Sequence, residues 1–569
     1  MNVHLRRTFY LFAAGFVALA FVLAYWQVYA QESLANDPAN NLQTRKDISA
    51  PRGLILAGDG ETVLAESSPR ETPTGTVYDR SYPEGAPYSN IVGYWSVKYG
   101  ATGIESGRNS TLSSVAGEPE TVDELLNQMA GGPQPGNNVV LTVDPELQRI
   151  AYEGLAQSNT GRGAAVALNP KTGEILALAT HPSYDPNNID ETFSELENAP
   201  DSPLINRATQ SLYPPGSTFK VITAAAALED GVEPDREFFD NGRFETPGYT
   251  VRNYKGEDHG RVTFTRALVL SINAVFAEIG VEIVGPEKLA EMAQRFGYDE
   301  EYKDFPLPVS PSDLGPPAGE WLPGYTAQVA FGQGAVVSNA FEMALVSGTV
   351  ANGGEAMQPR LVKEVRSPDG ILINKSAPEV REEVLPEETA DELSDMMEAV
   401  VYDGGLVQAQ LGETRVAGKT GTAEAPPNSP HSWWIAFAPV DDPEIAVAVM
   451  VENGGVIDEE GDADTPAIPI ATNILAAHLD VEAGPVPQPD PQPDRQRPSN
   501  QQPNQQPNQQ PNQQPNQQPN QQPNQQPFQS PGQAPGQQPG QTPGQQPGQQ
   551  PFQTPGQQPS QPPVQNPDG

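Results

Sequence analysis

Apolar and polar residues change phase several times along this chain of 569 residues. In "GLILAGDGETVLAES" (53–67) they alternate in short runs broken by Gly and Asp, which predicts strands joined as hairpins. "NNVVLTVDPELQRIAYEGLAQ" (137–157) starts as a strand and continues as a helix, with Asp144 as cap and Pro145 at its first position. "GAAVALNPKTGEILALAT" (163–180) reads as a strand, a turn at 169–173 and a second strand. The apolar period then lengthens to that of helices, over about 217–230, 263–280, 286–296, 340–351 and 387–402. Three strands close the pattern, "TRVAGKTGTAEA" (414–425), "SWWIAFAPV" (432–440) and "EIAVAVMVENG" (444–454), with turns at 426–430 and 441–443. Strands at both ends of a helical middle predict an α+β domain, an antiparallel sheet flanked by helices.

Two segments depart from this pattern. From Thr8 to Gln31 there are 24 residues without a charge, and about 20 apolar residues suffice to cross a bilayer as a helix. Arg6 and Arg7 precede the stretch while Glu32 and Asp37 follow it, which predicts an anchor over 8–30 with residues 1–7 in the cytoplasm. A cleaved signal peptide is the rival, since Val28-Tyr29-Ala30 resembles a cleavage site, but the apolar run exceeds the usual signal core. At the other end, "PNQQPNQQ" gives way to "PGQQPGQQ", with proline at every fourth position from Pro503 to Pro559. Phe528, Phe552 and Val564 are the large apolar residues left after Pro498, too few for a core. Residues 481–569 therefore read as a disordered tail, a spacer or a passive extension.

Charge and composition narrow the chemistry. Lys plus Arg number 32 against 73 Asp plus Glu, a net charge of −41, which argues against nucleic acid as a partner. There are no cysteines, hence no disulfides and no thiolate nucleophile. The five histidines, at 4, 181, 259, 431 and 478, are too scattered for a zinc site, and no metal or other cofactor is expected.

One stretch carries candidate chemistry. In "SLYPPGSTFKVITAAAALEDG" (211–231), Pro214, Pro215 and Gly216 predict a tight turn into an alanine-rich helix. Ser217 and Lys220, three apart, fall on one helical face. Taken alone, such a pair reads as the polar first turn of a buried helix. Two further signals follow in order. "SIN" (271–273) comes 54 residues after Ser217, at a helix boundary, and "KTGT" (419–422) comes 148 residues later on a strand. Separately, Ser271 and Asn273 could be a helix cap, and Lys419-Thr420-Gly421 an ordinary strand.

Together, Ser-x-x-Lys, Ser-x-Asn and Lys-Thr-Gly resemble the active-site set of penicillin-binding proteins and serine β-lactamases. The resemblance extends over about residues 1–480. "SAPRGLILAGDGETVLAES" (49–67) and "YGATGIESGRNSTLS" (99–113) resemble the pedestal of class B penicillin-binding proteins. "FGQG" (331–334) and "HSWWIAFAP" (431–439) resemble parts of the transpeptidase domain. The pedestal departs at Ala57, Gly58, Asp59 and Gly60, where the family has an Asp-Arg-Asn-Gly turn, and this is expected to alter a turn only. Fewer than 130 residues between anchor and transpeptidase fold leave no room for a class A glycosyltransferase domain. The chain is most similar to the compact actinobacterial type.

The resemblance implies a stalk and small, mostly-β pedestal over 31–150 and a transpeptidase domain over 151–480. It also implies a membrane-anchored D,D-transpeptidase, acting outside the cytoplasm on peptidoglycan stem peptides and acylated by β-lactams. Ser217 would be the nucleophile, activated by Lys220, which must be neutral to take a proton. Burial and the second cation Lys419 would both favour that state. Ser271 would pass the proton to the leaving D-alanine. Asn273 would donate to the substrate amide and steady Lys220. Thr420 and Thr422 would bind the terminal carboxylate, Gly421 would leave the strand edge open, and the backbone N–H groups of Ser217 and Thr422 would form the oxyanion hole. Arg52, Glu105 and His431 read as structural. A membrane glycan-strand polymerase is the implied partner. The alternatives are a D,D-carboxypeptidase or β-lactamase, or a non-enzymatic β-lactam sensor or scaffold. A Glu-x-x-x-Asn deacylation motif, expected of a class A β-lactamase, is not evident between Asn273 and Lys419.

Overall fold

The computed structural model describes residues 50–73, 75–113, 135–425, 427–455 and 465–484, with scattered helical positions between 7 and 25. The anchor expected over 8–30 and the tail expected over 481–569 lie largely outside the described residues. Among the described residues, no helix is long and apolar enough to cross a membrane.

The first sheet begins with β1 (Ile55–Leu56), which pairs antiparallel with β2 (Val63–Thr72); β2 in turn pairs with β3 (Gly75–Ser81). Between β1 and β2, Asp59 accepts the backbone N–H groups of Glu61 and Thr62, both at 2.9 Å, and Gly60 takes a φ of 71°. This is a tight Asx-type turn. β4 (Asn138–Leu141) joins β1 in parallel, and Val362–Arg366 and Leu372–Lys375 complete a six-stranded sheet from far along the chain. Beneath it, Arg52 and Arg80 converge on Glu105, all three side chains buried. Arg52 Nη1 also donates to Asn109 at 2.8 Å and Arg80 Nη1 to the Gly53 carbonyl at 2.9 Å. A buried carboxylate needs such partners, and here it has two guanidiniums and the Tyr82 hydroxyl, which donates at 3.5 Å.

Asp144 caps helix α1 (Pro145–Gln157) by accepting from the N–H groups of Glu146 and Leu147. β5 (Gly163–Leu168) and β6 (Ile175–His181) follow, joined by a turn in which Asn169 accepts from Lys171 and Thr172. The helical middle contains α2 (Lys220–Glu229), α3 (Phe264–Val269), α4 (Asn273–Glu278), α5 (Ala340–Ala351) and α6 (Glu387–Tyr402). Pro286–Phe296 is a further helix, opening on its proline and stopped by Gly297. The apolar period over 263–280 covers two helices, divided at Ser271, whose φ of 56° is left-handed, in agreement with the helix boundary expected at 271–273. Leu268, Val269, Leu270 and Ile272 carry the apolar pattern across the break.

β7 (Ala417–Ala425), β8 (Asn428–Ala438), β9 (Ile445–Val451) and α7 (Ala467–Leu479) complete the second sheet and its cover. The β7–β8 hairpin closes between Ala425 and Asn428, tighter than the expected turn at 426–430. The sheet is antiparallel in the order β7-β8-β9-β5-β6. Its two faces are buried against different layers. Ala164, Val166, Trp433, Ile435, Ala446 and Ala448 meet the helical middle, including α5. Ala165, Ala167, Trp434, Ala436, Val447 and Val449 meet α1 and α7. Burial on both sides explains why β8 and β9 read as unbroken apolar runs. β7 remains an edge strand, and the turn that precedes α2 packs against it.

Candidate active site

Ser217 sits in a short 3-10 turn, Gly216–Phe219, that runs directly into α2. The turn is pinned from several sides. Gly216 donates its N–H to the Gly332 carbonyl at 3.0 Å, and Trp433 Nε1 donates to the Pro214 carbonyl at 3.1 Å. Thr218 Oγ1 donates to the Pro215 carbonyl at 2.7 Å. Two glycines allow the close approach. A Cβ on Gly216 would lie 2.9 Å from the Thr422 carbonyl, in a φ of 56°, and one on Gly421 would lie 2.9 Å from the Pro215 carbonyl. Phe219, fully buried, meets the Tyr298 ring edge-on at 5.4 Å and anchors the helix start.

Lys220, the first residue of α2, is fully buried. Its Nζ lies 3.1 Å from Ser217 Oγ, 2.6 Å from the Ser271 carbonyl, 3.2 Å from Ser271 Oγ and 2.7 Å from Asn273 Oδ1. The left-handed backbone at Ser271 turns its carbonyl and its hydroxyl toward the same amine. Such a conformation costs a non-glycine residue about 1–3 kcal/mol and is held by its surroundings. Lys419, on β7 and also fully buried, donates to Ser271 Oγ at 3.0 Å and to the Thr420 carbonyl at 3.0 Å. Ser271 Oγ thus stands between two lysine nitrogens. Thr420 and Thr422 lie half-buried on one face of β7, and Thr420 Oγ1 is 3.4 Å from Lys419 Nζ.

Electrostatics set the protonation of this cluster. Burial pushes the Lys220 amine well below the usual lysine range, and the nearby charge of Lys419 pushes the same way. Burial lowers Lys419 to about 7. A neutral amine has two N–H donors and one lone pair. The Ser271 carbonyl and Asn273 Oδ1 can only accept, so they take both donors, and the lone pair is left for the Ser217 hydroxyl proton. The geometry can therefore activate a serine without histidine. His431 is held elsewhere, its Nδ1 accepting from the Asn453 N–H at 3.0 Å and its ring against Tyr213.

Residues 163–476 match the family described as the penicillin binding protein transpeptidase domain. The chain belongs to this family. Residues 52–139 match a second description, the penicillin binding protein A dimerisation domain. Among relatives of this penicillin-binding protein is "Peptidoglycan D,D-transpeptidase PbpA" of Mycolicibacterium smegmatis. It is 36% identical over 479 residues, 80% of this chain and 94% of the relative. The PbpA of Mycobacterium tuberculosis is 34% identical over 477 residues, covering 80% and 94%. Penicillin-binding protein A from M. tuberculosis, solved as an imipenem acyl-enzyme complex, superposes with a TM-score of 0.69 at 32% identity. That match covers 76% of this chain and 99% of the solved one. The D,D-transpeptidase domain from Eggerthella lenta gives 0.67 at 34% identity, covering 76% and 99%.

The fold brings Ser217, Lys220, Ser271, Asn273 and Lys419 of this penicillin-binding protein into one hydrogen-bonded cluster, with Thr420, Gly421 and Thr422 following along β7. Two groups of residues around it were missed from the sequence. Trp433 holds the serine turn through Pro214, which only the adjacent tryptophan pair in β8 hints at. Asp240 and Asn253, behind α4, lie in a stretch with no periodic pattern.

Proposed function

We infer that this penicillin-binding protein is a serine D,D-transpeptidase that cross-links peptidoglycan stem peptides through an acyl-enzyme and is acylated by β-lactams. The observation that carries this reading is the 3.1 Å approach of Lys220 Nζ to Ser217 Oγ, with both amine protons engaged by obligate acceptors. Ser217 Oγ attacks the carbonyl carbon between the two D-alanines while its proton passes to Lys220 Nζ. The backbone N–H groups of Ser217 and Thr422 stabilise the oxyanion. As the C–N bond breaks, the proton returns through Ser271 Oγ, 3.2 Å from Lys220 Nζ, to the nitrogen of the departing D-alanine. Lys419, with the hydroxyls of Thr420 and Thr422, binds the terminal carboxylate. Gly421 presents no side chain, so a peptide can lie along β7. Asn273 Oδ1 steadies Lys220 and its amide group donates to the substrate. A second amine, from a neighbouring stem, then attacks the acyl carbon and releases Ser217.

The uncharged stretch 8–30, preceded by Arg6 and Arg7, supports a single-pass anchor with a cytoplasmic N-terminus and an extracytoplasmic catalytic domain. A pedestal over 31–150 and a transpeptidase domain over 151–480 would stand on that anchor. A glycan-strand polymerase in the same membrane is the partner this arrangement suits. The test is product analysis with a D-Ala-D-Ala stem peptide and a candidate amine. The expected products are D-alanine and the amide-linked dimer; hydrolysed peptide alone would make the protein a carboxypeptidase.

A further inference from the structure

Helix α4 begins two residues after the left-handed Ser271 and is only six residues long. The first N–H groups of a helix have no partner within it. Ile272, which precedes α4, offers no side-chain cap. The Ala274 N–H is instead accepted by Asn253 Oδ1 at 2.9 Å, a buried contact across 21 residues of chain. The Asn253 amide cannot turn over, because its Nδ2 is committed to both Asp240 oxygens, at 2.8 Å each, and to the Glu257 carbonyl at 2.9 Å.

Asp240 is itself locked. It lies at the end of the Glu237–Asp240 strand, which pairs with Gly260–Thr263, and its side chain is fully buried. It accepts the Gly242 N–H at 2.9 Å, the His259 N–H at 3.1 Å and His259 Nδ1 at 2.7 Å. Burial raises its carboxyl, but the hydrogen bonds from His259, Gly242 and Asn253 outweigh burial and keep it ionised. A rigid chain of contacts therefore runs from Asp240 through Asn253 to the first turn of α4. From that turn Asn273 holds Lys220, and Asn273 Nδ2 reaches back to the Arg252 carbonyl at 3.4 Å.

We propose that Asp240 and Asn253 are a positioning pair, which sets where Asn273 stands against Lys220 and thereby the acylation rate. Neither touches the reacting atoms. The proposal rests on the reading that the Asn273–Lys220 contact serves acylation. It gives the Asp240–His259 contact a purpose beyond folding.

The test uses the full-length protein, acylated by a fluorescent penicillin, with melting curves in parallel. Asn253→Ala lowers the acylation rate of folded protein by about tenfold, the scale of one buried hydrogen bond left unmade. In an Asn273→Ala background the same change costs less than about twofold, because the pathway is already broken. Asp240→Asn is the milder change: it swaps one acceptor oxygen for a donor where Gly242, His259 and Asn253 all donate, so it loosens the Asn253 amide and lowers acylation of folded protein by about threefold, again only while Asn273 is present. If Asn253→Ala fails to fold, Asp240→Asn carries the test alone. Wild-type acylation by the folded variants, or full multiplication of their losses with that of Asn273→Ala, would overturn the pair. Wild-type acylation by Asn273→Ala would instead overturn the underlying reading of the site.

Discussion

Replacing Lys220 by arginine puts a permanent cation where acylation needs a neutral amine, and so removes the capacity of this position to act as a base. In the structure the amine meets two obligate acceptors, the Ser271 carbonyl at 2.6 Å and Asn273 Oδ1 at 2.7 Å. A guanidinium can donate to both. It has no lone pair for the Ser217 proton and stays charged at every working pH. General-base assistance contributes about a hundred- to ten-thousand-fold to such a step. At about 1.4 kcal/mol per decade, that raises the barrier by about 3–5 kcal/mol. The larger side chain must also fit a fully buried position, and overpacking of this kind costs about 1–3 kcal/mol of stability. The assay is the acylation rate with a fluorescent penicillin, measured below the onset of melting for each variant, with Lys220→Met as a neutral comparison. Both variants should fall by about a thousand-fold while remaining folded. A Lys220→Arg protein within about tenfold of wild type would refute the base assignment, whatever its melting temperature.

Two further outcomes follow from charges at the site and in the pedestal. Acylation requires neutral Lys220, held well below the usual lysine range by burial and by Lys419, so the rate should rise with pH through that lowered value. Lys419→Met removes the second cation and should move this acid limb to higher pH. Burial lowers Lys419 to about 7, so the second-order acylation constant for an anionic β-lactam should fall above that pH. A stopped-flow profile without a fall above about pH 7 would contradict the Lys419 limb, and a rate that rises as pH is lowered would contradict the Lys220 limb. In the pedestal, burial raises the Glu105 carboxyl, but Arg80 and Arg52 outweigh it and hold it below its usual range. Its stabilisation is therefore present above the unfolded carboxyl value, about 4.3, and is lost as pH falls through the lowered one. Glu105→Gln strands two buried guanidiniums and should cost about 3–5 kcal/mol in denaturant melts, without slowing acylation of the folded protein. Unchanged stability would mean that the cluster is not the pedestal's electrostatic anchor.

Much of the framework was legible because its signals are local. The helices at Pro286–Phe296 and Ala340–Ala351 begin and end where Pro286, Gly297 and the Asn339 cap dictate. The three serine, asparagine and lysine signals fell in order on the expected elements, and the fold then brought them together. What was illegible depends on distance along the chain. The helix boundary at 271–273 was legible, but the turn of the Ser271 carbonyl toward Lys220, 51 residues away, was not, and the apolar period alone runs through it. Strands 362–366 and 372–375 join a sheet begun three hundred residues earlier. Arg80 shares Glu105 with Arg52, yet in sequence it is an arginine in an exposed-looking hairpin. Asp240 ends one short strand and Asn253 follows another, and their shared link to α4 appears only in the fold.

The most direct test of the nucleophile is to locate the bond it forms. The full-length protein is incubated with penicillin G, digested, and the acylated peptide sequenced by mass spectrometry. One adduct is expected, on Ser217 within "SLYPPGSTFK", absent from Ser217→Ala protein that melts like wild type. An adduct on any other residue, or one that persists in Ser217→Ala, would contradict the assignment of this serine as the acylated group.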